Sequence, residues 1–109
     1  MDIEAMAREL GLERDEFLEI LALFLEAGWQ DLTALETEFR RGAFEAAAAA
    51  AHSLKGAALN LGLQDIASQA RQLEQAAKNA SLEGVAGRLT SLGEQLRHLG
   101  RLAEIQQST

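Results

Sequence analysis

The 109-residue chain has no cysteine, no proline and no tyrosine, and aromatic residues make up 5% of it. Without cysteine there is no disulfide, no thiolate metal site and no thiol nucleophile, and the chain is compatible with a reducing cytosol. Without proline nothing in the sequence forces a helix to break. Basic residues are few, 10 against 17 acidic ones, and the net charge of −7 repels phosphate backbones. Since the basic residues form no dense block either, nucleic-acid binding is not expected. The start, MDIEAMAREL, lacks the basic stretch and apolar core of a signal peptide, and no apolar run approaches membrane-spanning length. The expectation is a cytoplasmic protein without membrane contact. A nucleotide-binding glycine loop and a serine elbow are missing as well.

What is present favours helix. Hydrophobic residues make up 48% and charged residues 25%, a globular composition rich in Ala, Leu, Glu and Gln. The length suits one domain, residues 1–109. Ile3, Met6, Ala7 and Leu10 predict a short helix over about 2–10, stopped by Gly11. Phe17, Leu21, Phe24, Gly28, Leu32, Leu35 and Phe39 predict a long one over about 13–41, with Gly28 as a point of bending. The alanine-rich stretch predicts a third over about 44–61, with no capping side chain at Gly42 or Ala43, so that its first turn frays, and with Gly62 as its C-terminal cap. Ile66, Ala70, Leu73 and Ala77 mark a fourth over about 64–78. Leu82, Val85, Leu89, Leu92, Leu96, Leu99 and Ala103 mark a fifth over about 82–105, capped by Ser81 and fraying from Gln106. Short connections between amphipathic helices make neighbours antiparallel, so the expected fold is all-α. It is an up-down-up-down four-helix bundle with a short additional N-terminal helix.

Chemistry concentrates in AAAAAAHSLKGAALNLG, residues 46–62. Leu54, Ala58 and Leu61 form the inward stripe, and His52 lies roughly 200° from Leu54 around the helix, sharing the solvent side with Ala48, Lys55, Gly56 and Leu59. Glycine inside a helix costs about 1 kcal/mol relative to alanine, so Gly56 needs a reason. A missing side chain one turn from the imidazole lets a bulky group of another molecule approach it. Lys55 suggests an anionic group and favours the neutral, nucleophilic ring. Phosphohistidine chemistry asks for these three features together: an open ring nitrogen, a clear approach and a nearby cation. The plain alternative is an idle surface histidine. His98, beside Leu99 and Arg97, fits that description better. Glu94 and His98 share a face four residues apart, but the Glu-x-x-His pairs of di-iron bundles are absent, and no metal site is expected.

The motif HSLKGAALNLG with AAAA before it resembles the signature of the histidine-containing phosphotransfer (HPt) domain of phosphorelays, and the flanking FLEAGWQDLTALETEFRRGAFEAAAAA and LQDIASQARQLEQAAK extend the likeness over nearly the whole chain. Gly42 and Ala43 stand where many members open the active helix with an acidic residue, a departure that concerns capping rather than chemistry. The resemblance implies a four-helix bundle in which His52 accepts and donates the phosphoryl group, Lys55 supports it and Gly56 leaves room for the partner. It implies response-regulator receiver domains or a hybrid sensor histidine kinase as partners, with Mg²⁺ on the receiver, no cofactor of the chain's own and no autonomous kinase activity. Ala48, Leu59 and Leu63 are expected to form the apolar docking patch of a monomer. The rival reading is a non-catalytic interaction or dimerisation module that uses the Leu82 to Leu99 seam, with His52 incidental.

Overall fold

The computed structural model describes the backbone of residues 2–108 and the side chains of residues 2–105. Five helices follow one another: α1 (Ile3–Glu9), α2 (Arg14–Arg40), α3 (Phe44–Asn60), α4 (Gln64–Lys78) and α5 (Val85–Ser108), with no strand among the described residues. The 27 residues of α2 span about 40 Å at 1.5 Å per residue, which sets the long axis of the 43 × 22 × 18 Å molecule. α3 packs between α2 and α4, α5 closes the square against the same two helices, and α1 lies on α2 with an edge on α5. This is the expected bundle with its additional N-terminal helix. None of the described helices is long and apolar enough to cross a membrane.

The predicted stripes form the core. Phe17, Leu21 and Leu35 of α2, Leu54 of α3, Leu73 of α4 and Leu92, Leu96 and Leu99 of α5 are fully buried. α2 is continuous through Gly28, and the glycine lies against side chains of α3 and α5. A Cβ there would stand 3.2 Å from Leu96 Cδ2 and 3.7 Å from Leu54 Cδ1. Within the seam on which a dimer was imagined, Val85, Leu92, Leu96 and Leu99 are buried inside the chain.

The fifth helix differs from its expected limits at both ends. It starts at Val85 rather than Leu82, because Gly84 takes a left-handed φ of +72° and Ser81 Oγ accepts the Glu83 N–H in a local turn ahead of the helix. Leu82, counted in the seam, is therefore 61% exposed. At the other end α5 runs to Ser108, past the expected limit near residue 105, and the last residue of the tail expected to fray, Thr109, lies outside the described residues. α3 begins at Phe44 with no side-chain cap; an edge-to-face contact of Phe44 with Phe39, 6.2 Å between centroids, ties its first turn across the connection instead.

Gly62 closes α3 as expected. At φ +72° it directs the Leu63 N–H to the Ala58 carbonyl (2.9 Å) and its own N–H to that of Leu59 (3.1 Å), the paired bonds of a Schellman cap. α4 ends with the same pair of bonds, Ser81 N–H to Ala76 O (2.8 Å) and Ala80 N–H to Ala77 O (3.0 Å), yet the left-handed position is held by an alanine, Ala80, at φ 50°. A Cβ in that conformation is strained. Ala80→Gly should raise the stability by about 0.5–1 kcal/mol, the relief of the Cβ strain less the extra freedom of glycine in the unfolded chain; urea unfolding monitored by circular dichroism measures it.

Candidate functional site

His52 sits in the middle of α3 on the face away from the core, its side chain 70% exposed. It is exposed because α3 is anchored from the opposite side: Ala47, Ala51, Leu54 and Ala58 are all fully buried. The small side chains of this inward face bring α3 close to its neighbours. On one flank the neighbour is α2, whose half-buried Asp31 faces Ser53; burial raises the Asp31 carboxyl above its usual range and the Ser53 hydroxyl partly offsets this. On the other flank is α4, and it carries Glu74.

Glu74 joins the site together. It is only 5% exposed, the one charged residue in the buried set among the described residues. Lys55 Nζ donates to Oε1 at 2.6 Å, His52 Nδ1 lies 2.9 Å from Oε2, and Lys78 Nζ approaches the same Oε2 at 3.4 Å. The Lys55 hydrogen bond is the largest influence holding the Glu74 carboxyl down at about 2, against the opposing effect of its own desolvation, with His52 and Lys78 adding to the lowering. An ionised carboxylate can only accept hydrogen bonds. The proton between His52 and Glu74 therefore resides on Nδ1. That fixes the tautomer of the neutral ring and leaves the lone pair on Nε2, which has no partner among the described residues.

The residues expected from the sequence fall into three groups. His52 and Lys55 meet at Glu74, but Lys55 is not the free cation of the helical-wheel reading: its side chain is 26% exposed and committed to the carboxylate. Gly56 stands one turn beyond His52, and a Cβ at that position would meet, among the described residues and apart from its own helix backbone, no atom within 4 Å. Nothing in the fold requires glycine there. Gly87 and Gly100 of α5 are equally open, so openness alone does not distinguish Gly56; its place beside the imidazole does. Leu59 is 49% exposed and Ala48 half-buried, whereas Leu63 is 2% exposed and does not extend the patch. Its position explains the correction: Leu63 is the residue just beyond the Gly62 cap, where the chain folds back and turns its apolar side chain into the core. His98 and Glu94 are exposed on α5.

Glu74 was legible in principle. It lies four residues after Ala70 and three before Ala77, at core spacing on α4, where an unpaired carboxylate is costly and needs a cation from the facing helix. The stripe Ile66, Ala70, Leu73, Ala77 was read without it. Because Glu74 is depressed on folding from its unperturbed 4.5 to about 2, its contribution to stability is fully present above pH 4.5 and is lost as the pH falls from there toward 2. Acid unfolding of Glu74→Gln should show a shallower loss of stability over that interval than the wild type; equal slopes would mean that the carboxylate is not held by these partners.

Comparison with known proteins adds the following. The family model described as Hpt domain matches residues 19–107. No curated protein matches the chain. Among solved structures, the crystal structure of histidine-containing phosphotransfer protein B from Pseudomonas aeruginosa PAO1 is similar with a TM-score of 0.84 and 21% sequence identity, over 99% of this chain and 94% of that one. At that identity the likeness is one of fold. With the family model spanning both the motif helix and its partners, the chain belongs to the Hpt domain family, histidine phosphotransfer modules of phosphorelays.

Proposed function

We propose that the chain carries a phosphoryl group on His52 Nε2 between receiver domains, accepting it from an aspartyl phosphate, or from a histidine kinase, and passing it to a further receiver. The single observation that carries this reading is the Glu74 carboxylate on His52 Nδ1, 2.9 Å away, which leaves the Nε2 lone pair as the exposed nucleophile. In the transfer that lone pair attacks phosphorus, the P–Nε2 bond forms as the acyl-phosphate P–O bond breaks, and the aspartate leaves as carboxylate. The positive charge that develops on the ring is met by Glu74 through the Nδ1 proton, without full proton transfer to a carboxylate held so acidic.

The chain's own contribution is a positioned nucleophile. One carboxylate shared by two ammonium groups is not a ligand set for a divalent cation, so Mg²⁺ is assigned to the receiver and no cofactor to this chain. Leu59 and the half-buried Ala48 flank His52 as apolar docking surface, and Gly56 opens the approach. One such face docks one receiver at a time, and the chain is read as a cytoplasmic monomer with kinases and receivers as its neighbours.

Incubation with a ³²P-labelled receiver should give an acid-labile, base-stable modification of this chain that His52→Gln abolishes; label persisting on that variant removes His52 from the reaction. Gly56→Leu should keep or slightly raise helix stability, by up to about 1 kcal/mol, while slowing transfer from the receiver at least tenfold by collision at the interface. Transfer at the wild-type rate by a folded Gly56→Leu protein would show that the approach does not pass over this position.

A further inference from the structure

Two lysines reach the carboxylate beneath His52, and they are not equivalent. Lys55 donates to Oε1 at 2.6 Å from a side chain only 26% exposed, and it is the main reason that Glu74 remains ionised in a desolvated position. Moving it away would leave a buried anion short of its principal partner, a costly change. Lys78 sits on α4 itself, one turn after Glu74, at 3.4 Å and with its side chain 59% exposed. An exposed i,i+4 pair of that length contributes little and is readily exchanged. Lys78 also approaches Oε2, the oxygen that holds the imidazole, so its ammonium group already stands on the ring's side of the carboxylate.

We propose that the cation which closes on a phosphoryl group at His52 is Lys78, swinging from Glu74 Oε2, while Lys55 stays on Oε1 as the fixed counter-ion that keeps the carboxylate and the ring in place. This rests on the reading of His52 as the phosphorylated residue, and it reassigns the phosphoryl-supporting role from the motif lysine to a residue 26 positions beyond His52 on another helix. Charge balance drives the exchange. At rest, Glu74 faces the Lys55 and Lys78 ammonium groups and the imidazole N–H. The phosphoryl group brings up to two negative charges, and Glu74 then needs only one of the two lysines. Lys78 is the one that costs little to release. Arg71, one turn before Glu74, is exposed on the same helix and has no contact with the carboxylate among the described residues. It serves as the control for simple loss of charge.

The bond broken when phosphohistidine decays is P–Nε2, with water supplying the oxygen, and the loose transition state carries less charge on the peripheral oxygens than the ground state does. A cation resting on those oxygens therefore prolongs the lifetime. The test uses the full chain phosphorylated by phosphoramidate, which donates its phosphoryl group with loss of ammonia and needs no receiver. Phosphorus on His52 is confirmed by mass mapping against His52→Gln. Lys78→Gln should shorten the lifetime of phospho-His52 about threefold or more, Lys78→Arg should restore it, and Arg71→Gln should leave it within about twofold, the range of exposed charge pairs. In nuclear magnetic resonance of the lysine ammonium groups, the Lys78 signal should move on phosphorylation and the Lys55 signal stay. Lifetimes unchanged in Lys78→Gln, equal losses in Lys78→Gln and Arg71→Gln, or movement of Lys55 instead of Lys78 would each overturn the assignment. If the wild type takes no phosphate on His52, the underlying functional reading fails first, and visibly so, before any lysine variant is compared.

Discussion

The structure around the site depends on one buried carboxylate. Glu74 is an anion at a core position of α4, tolerable because Lys55 and His52 on α3 and Lys78 on its own helix surround it. That requirement fixes the rotation of α3 about its own axis against α4. A turn of α3 by one residue would take both Lys55 and His52 away from the carboxylate and carry Ala47, Ala51, Leu54 and Ala58 out of the core together. The apolar packing and the polar contact thus specify the same register, and the imidazole is oriented by the interaction that makes the buried charge acceptable.

This arrangement gives an exposed histidine a defined chemistry. A solvated imidazole interconverts between tautomers and rotamers; one whose Nδ1 is committed to an ionised carboxylate presents Nε2 alone. The bundle supplies rigidity cheaply. α3 has small residues, Ala47, Ala51 and Ala58, on its inward side, which allow a close approach to its neighbours without a large core. The absence of a side chain at position 56 has no counterpart inside the fold, in contrast to Gly28, which is needed where Leu54 and Leu96 press on α2. The two glycines illustrate different constraints, one set by the chain's own packing and the other, in the proposed reading, by a partner.

The fold was legible because each helix writes its buried face as a three-to-four-residue stripe and each connection carries a local stop signal. Gly62 was read as a left-handed cap and is one. Ala80 does the same work without the residue type that advertises it, and Leu82 was counted into a helix that Gly84 delays by three residues. In the site, the α3 residues were legible from their own spacing on one helix. For Glu74 the buried position was legible from its spacing on α4, but its partners were not, because the pairing runs across helices and a single stripe does not contain it. Leu63 failed for a related reason: on a continued helical wheel it lies near the patch, but the chain has already turned at Gly62 and its side chain goes to the core.

The central claim is that Glu74 determines which nitrogen of His52 reacts. The regiochemistry of the phosphorylated protein tests it directly: ³¹P–¹⁵N coupling in a protein labelled with ¹⁵N-histidine should place phosphorus on Nε2 of His52, with Nδ1 still bearing its proton. Phosphorus on Nδ1 would require the His52–Glu74 bond to be broken in the reacting state and would contradict the account.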